Sequence, residues 1–136
     1  MDKQDLQDQD QKFEELTKAI IGCSFEVINE LGSGFLESVY EKALQVALTQ
    51  KNLDVEAQKQ IQVTFRNHNV GTFYADLLIE NKVLVELKAV KAILPEHQAQ
   101  VINYLNATGI KVALLINFGN SKLEFKRLTR SNSGKL

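Results

Sequence analysis

Residues 83–88 read VLVELK: Val83, Leu84, Val85, Glu86, Leu87, Lys88. Branched and long apolar residues mark a strand buried on both sides, yet a carboxylate and an ammonium interrupt it. Side chains alternate across a strand, so Glu86 and Lys88 share one face with Leu84. An acid and a base on one face of a buried strand call for a compensating group nearby.

The segments on either side supply the architecture. Upstream, odd positions from Val55 to Phe65 carry Val55, Ala57, Ile61 and Val63, while the even ones carry Glu56, Gln58, Gln60 and Gln62. That period of two predicts a long half-exposed strand. Asn67-His68-Asn69 reads as a turn, 70–79 as a second strand, Glu80-Asn81 as a turn and 82–89 as the third strand, in an antiparallel meander. Downstream, Pro95 suits the first position of a helix and Gly109 its end. KVALLINF (111–118) is apolar on both faces, as a central strand would be. The intervening helix allows a right-handed crossover, so these two strands should run parallel. A final strand is expected at about 122–128.

Before the strands, Phe13, Leu16, Ile20, Val27 and Leu31 recur at helical steps over 11–31, with Cys23 in their gap. Gly32-Ser33-Gly34 ends that helix, and a second is expected at about 35–50. The order is αα-βββ-α-β-β, an α/β (α+β) fold with a mixed sheet flanked by helices.

Composition narrows the function classes. The 136 residues suit one domain, and a net charge of −1 demands neither nucleic acid nor an anionic membrane. Charge is uneven: residues 1–15 hold six acids against two lysines, net −4, and 121–136 hold five bases against one acid, net +4. Both ends, about 1–10 and 130–136, read as polar flexible tails. The single cysteine, Cys23, excludes an internal disulfide and a cysteine-based zinc site. No apolar run approaches the roughly 18–20 residues that cross a bilayer, and the acidic start lacks a signal-peptide pattern, so a cytoplasmic protein without a membrane partner is expected.

The chemistry centres on a second acid. In YADLLIE, Asp76 should leave the second strand with Tyr74 and Leu78, opposite Phe73, Ala75, Leu77 and Ile79. A two-residue loop at Glu80-Asn81 would set Asp76 and Glu86 on opposite faces. An odd loop or a bulge sets them on one face, and Asn81 tolerates the left-handed conformation such a loop needs. That irregularity is expected here. Two adjacent carboxylates repel, and a divalent cation relieves them; a few oxygen ligands completed by water is what Mg²⁺ or Mn²⁺ accepts. The plain alternative for Glu86 and Lys88 is a surface ion pair on an edge strand.

Asp, then Glu-x-Lys on the neighbouring strand, within this element order, resembles the PD-(D/E)xK nuclease superfamily, with Ala75 where proline is nominal. GFLESVY (34–40), with Gly34, Glu37 and Tyr40, resembles the signature of the small bacterial GxxExxY proteins assigned to that superfamily. Gln100 and Tyr104 after the lysine strand resemble the Gln-x-x-x-Tyr element of RecB-type exonucleases. The resemblance covers about residues 12–128. It implies a restriction-endonuclease-like sheet and a metal-dependent nuclease. Asp76, Glu86 and Glu37 would hold Mg²⁺ or Mn²⁺, Lys88 would act on the attacking water, and Gln100 would support it. Tyr104, His97, Tyr40 and Lys91 would lie on the substrate side, the substrate being nucleic acid, DNA first. A homodimer through an exposed strand edge is a further expectation.

Each residue also has a local explanation. Glu37 fits a capping-box position with Gly34 as N-cap. Tyr40 suits packing with its hydroxyl tied, His97 a helix start, and Gln100 the polar flank of an amphipathic helix. Two other readings keep the fold: a binding or assembly module without catalysis, and a hydrolase of a small phosphate compound. A basic stripe of Lys88, Lys91, Lys122, Lys126, Arg127 and Arg130 beside Asp76 would favour nucleic acid.

Overall fold

The computed structural model describes residues 2–130. Eight elements follow in the expected order: α1 (Lys3–Leu31), α2 (Glu37–Gln50), β1 (Val55–Phe65), β2 (His68–Ile79), β3 (Val83–Lys88), α3 (Pro95–Thr108), β4 (Val112–Asn117) and β5 (Glu124–Thr129). The strands form one sheet in the order β1-β2-β3-β4-β5. All neighbours are antiparallel except β3 and β4, which run parallel on either side of the α3 crossover. This is a mixed α+β fold of the restriction-endonuclease-like kind.

α1 begins eight residues before the apolar periodicity does. Asp2 caps it by accepting the Asp5 N–H at 2.9 Å, and Gln4–Asp8 and Gln11–Glu15 pair one turn apart. Burial starts only at Leu16. Apolar periodicity reports which turns touch the core; caps and polar pairs carry the helix past it. Of the C-terminal tail expected at 130–136, residues 131–136 lie outside the described residues.

Helices cover both faces. Leu16, Ile20, Cys23 and Val27 of α1 and Tyr40, Leu44 and Leu48 of α2 pack on Leu77, Ile79, Val83, Val85, Leu87, Leu114 and Ile116. On the other face, Val101, Tyr104 and Leu105 of α3 pack on Ile61, Ala75, Leu84, Ala113 and Leu115. The apolar run of β3 is thereby explained, since both its faces are roofed.

Two turns and one strand depart from the sequence reading. The β1–β2 turn is the two-residue Arg66-Asn67 pair, both with left-handed φ (50° and 65°), so His68 already pairs with Phe65 rather than sitting in the turn. The expected face for Ala75, Leu77 and Ile79 also splits. Ala75 and Ile61 join the α3 cluster, whereas Val55, Leu77 and Ile79 join the α1–α2 cluster. The alternation changes phase at Asp76 and at Gln58, which lies between the Ala57–Leu77 and Lys59–Ala75 pairs with φ 52°. A left-handed residue inside a strand breaks the two-residue repeat that parity arguments assume.

Candidate active site

The β2–β3 connection decides whether the two acids meet. Ile79 pairs with Val83 and Leu77 with Val85, so the loop is the three residues Glu80, Asn81 and Lys82. Glu80 and Asn81 both take left-handed φ (53° and 56°). Glu80 is anchored to the start of β1: its carboxylate accepts the Asp54 N–H at 2.6 Å and its own N–H donates to the Asp54 carbonyl at 2.8 Å. The odd loop is the expected irregularity, and it brings Asp76 and Glu86 into line across the strands.

Beyond Leu77–Val85 side chains take over from the ladder. Glu86 Oε1 accepts the Asp76 N–H at 2.9 Å, and Asp76 Oδ2 accepts the Leu87 N–H at 2.8 Å. Each acid is thus fastened to the opposite strand through one oxygen. Glu86 is only 7% exposed. Burial first, and then the Asp76 charge, push its carboxyl up from the ordinary 4.5 to about 8. Burial also raises Asp76, against the pull of the Leu87 N–H, the Gln58 amide and Lys88. Glu37 is raised as well, by partial desolvation and then by Asp76, with Lys88 opposing. Three carboxylates disfavour one another here, and Lys88 is the cation that bears on all three.

That donor chemistry suits a hard divalent ion, which prefers carboxylate oxygens. Among the described residues no three His, Cys, Asp or Glu side chains already converge as a ligand set. One oxygen each of Asp76 and Glu86 is engaged with backbone, and the other bears no hydrogen bond from the described backbone. Asp76 and Glu86 remain adjacent donors, and Glu37 is the third acid whose charge bears on them.

The other residues singled out from sequence divide. Glu37 is the first residue of α2, after Leu36 at the N-cap, so the capping box with Gly34 does not form. Tyr104 is 8% exposed and packs in one cluster with Ala75 and Leu84, neighbours of the acids along their strands; burial, then Glu86 and Asp76, raise its hydroxyl. Gln100 is exposed and lines a groove with Tyr104. His97 accepts the Leu94 N–H on Nδ1 at 3.0 Å, a helix-start role. Tyr40 is fully buried, which corrects its expected place on the substrate side. Its hydroxyl donates to the Gly32 carbonyl at 2.6 Å and accepts the Phe35 N–H at 3.2 Å, and its ring stacks on Phe118 at 4.8 Å. It staples the α1–α2 loop that presents Glu37. Lys91 is exposed, and its carbonyl accepts from Asn120 Nδ2 at 2.6 Å. The basic stripe does not lie on one face: Lys126 pairs with Leu115 of the α3 cluster, whereas Arg127 and Arg130 line a groove against α1.

Sequence reasoning missed a supporting set. Gln58, opposite Asp76 on β1, helps hold that carboxyl down, and its Nε2 donates to Glu41 Oε1 at 2.8 Å. Asn117, fully buried and in register with Lys88, locks the chain that leaves β3. Its Oδ1 accepts the Val90 and Gly119 N–H groups, both at 3.0 Å, and its Nδ2 donates to the Val90 carbonyl at 2.9 Å and to Glu124 Oε1 at 3.0 Å. Glu124 also accepts the Ile93 N–H at 3.0 Å. At Gly119 an added Cβ would lie 2.0 Å from the Val90 carbonyl oxygen, so the backbones touch. An asparagine in a buried strand was the one available signal, since a polar group there must be fully bonded.

A profile of the PD-(D/E)XK nuclease superfamily matches residues 14–128. The chain belongs to that superfamily. Solved structures similar to this PD-(D/E)XK chain include that of the protein SSO0001, with 17% identity and a TM-score of 0.51, covering 69% of this chain and 50% of the other. Another is the alkaline exonuclease LHK-Exo from Laribacter hongkongensis, with 14% identity and a TM-score of 0.53, covering 71% and 57% respectively. At these identities the likeness is one of fold, and the match spans only about half the length of either protein. No curated protein matches the sequence. No helix among the described residues is long and apolar enough to cross a membrane.

Proposed function

We propose that this chain is a metal-dependent nuclease that hydrolyses phosphodiester bonds of nucleic acid, DNA in the first instance. The observation that carries the reading is the Asp76–Glu86 pair, cross-bonded at the end of the β2–β3 ladder, with Lys88 on the same strand as Glu86. Asp76 and Glu86 would hold Mg²⁺ or Mn²⁺, with Glu37 as the third acid. When bound, such an ion supplies neutralising charge and a water of lowered pKa. Lys88 would orient the attacking water and stabilise charge growing on the phosphate. Tyr104 borders the acids on the α3 side, and Gln100 extends that wall toward the substrate. The Asn117 clamp holds the segment after Lys88 still, so that the ammonium keeps its place relative to the carboxylates.

Calorimetric titration with Mg²⁺ and Mn²⁺, alone and with DNA present, tests the site. The intact protein should bind, and both Asp76→Ala and Glu86→Ala should abolish binding. Cleavage of labelled oligonucleotides should then require the ion and fall by about a hundredfold or more in Lys88→Ala, the scale of losing one positioned electrostatic group. Absence of binding with and without DNA would favour a non-catalytic binding module instead.

A further inference from the structure

We propose that the groove between the β1–β2 hairpin and α3 is a pocket for an unpaired nucleobase of the strand being cleaved. This deepens the nuclease reading and rests on it. The groove has a volume of about 700 Å³, the size of a small-molecule site. Its walls hold two aromatic rings, Phe73 from β2 and Tyr104 from α3, with centroids 5.7 Å apart and planes inclined at 40°. Phe73 is 42% exposed, leaving a ring available for stacking. Around these rings stand Gln100, Asn103 and Asn106, spaced three apart along α3, with Glu96 the one charged residue of the lining. Amide side chains both donate and accept, as the edges of all bases do. Aromatic floor and amide rim together describe a base more closely than an aliphatic ligand.

Position ties the groove to the acids. Phe73 lies three residues before Asp76 on the same strand, about 10 Å at the usual rise. Ala75, Leu84 and Tyr104 share one packed cluster, and Glu86 follows Leu84 on that face. A base lying on Phe73 therefore carries its phosphate toward Asp76 and Glu86. Charge at the outer end of the hairpin is also suitable. Residues 57–75 contain no acid and carry Arg66 at the tip and Lys59, which pairs with Glu56 at 3.4 Å. At the tip the Arg66 guanidinium lies 4.8 Å from the Phe65 ring centroid, and Phe65 is itself exposed. Bases paired in a duplex keep both faces stacked, so a pocket of this kind selects single strands or frayed ends.

The test uses an oligonucleotide carrying 2-aminopurine, whose fluorescence is quenched by stacking, with the full chain in Ca²⁺ so that cleavage does not consume the probe. Single strands should bind with quenching. Phe73→Ala should remove the quenching and weaken binding by about five- to a hundredfold, the range for losing one base–aromatic stack. Phe73→Tyr should restore both, and circular dichroism should show each variant folded. Duplex of the same sequence, and a strand with an abasic site in place of the probe, should bind more weakly. Unchanged quenching in Phe73→Ala, or equal binding of the abasic strand, would overturn the pocket. So would 2-aminopurine nucleoside monophosphate binding as tightly as the strand, because the site would then serve free nucleotides. Cleavage of DNA in Mg²⁺ is scored separately: cleavage without quenching sinks the pocket alone, and quenching without cleavage sinks the nuclease alone.

Discussion

Replacing Glu86 with glutamine should make the metal-free protein more stable, and increasingly so as the pH rises. Folding lifts the Glu86 carboxyl from its ordinary 4.5 to about 8, chiefly by burial. The native state therefore binds one more proton than the unfolded chain between these values. The favourable contribution is complete below about pH 4.5 and is lost as the pH climbs through about 8. The gap is about 3.5 pH units, and at 1.36 kcal/mol for each it amounts to about 5 kcal/mol as a ceiling. Solvent entering the site and side-chain movement lower the realised value to roughly 2–4 kcal/mol. Asp76 and Glu37 are raised too and add in the same direction. Glutamine keeps an oxygen to accept the Asp76 N–H but carries no charge. Urea unfolding in EDTA, run from pH 5 to pH 9, should show Glu86→Gln close to the parent at pH 5 and about 2–4 kcal/mol above it at pH 9. Mg²⁺ should close that gap by stabilising the parent alone, provided the ion binds. A stability difference that stays flat across the pH range would refute the reasoning.

Other substitutions probe the frame around the acids. Asn117→Ala should cost roughly 3–4 kcal/mol in denaturant unfolding, because it strips partners from Val90, Gly119 and Glu124 at once in a buried setting. Activity should fall further than stability as the segment after Lys88 loosens, which a comparison of kcat at a temperature well below Tm would show. Gly119→Ala should unfold the protein or lower its Tm by about 10 °C or more, since the new methyl would occupy the position of the Val90 carbonyl. Tyr40→Phe should cost about 1–3 kcal/mol by leaving the Gly32 carbonyl and the Phe35 N–H unbonded. Because Tyr40 is buried, its loss should leave the KM for an oligonucleotide unchanged; a large rise in KM would place its hydroxyl at the substrate after all.

Much of this architecture is written in local pattern. Period-two alternation in 55–65, the apolar run of 83–88, and Pro95 and Gly109 bracketing α3 each constrain backbone geometry within a few residues. Element order and the parallel β3–β4 pair therefore followed from the chain itself. The adjacency of Asp76 and Glu86 was legible too, because the left-handed tolerance of Asn81 admits the odd loop that sets the two acids opposite each other. Other features depend on residues far apart in the chain and left no local trace. The phase change at Gln58 and Asp76 arises where the hairpin passes from one helix layer to the other. Tyr40 reads the same in sequence whether its hydroxyl faces a substrate or the Gly32 carbonyl; only the packing of α1, α2 and Phe118 buries it. The shift of Glu86 to about 8 needs β2, β3 and the covering layers assembled together, since desolvation is a property of the folded surroundings and not of the residue. The Asn117 clamp likewise joins residues 27 apart. Backbone preference is local and legible along the chain, whereas burial and convergence are collective and exist only once the layers close.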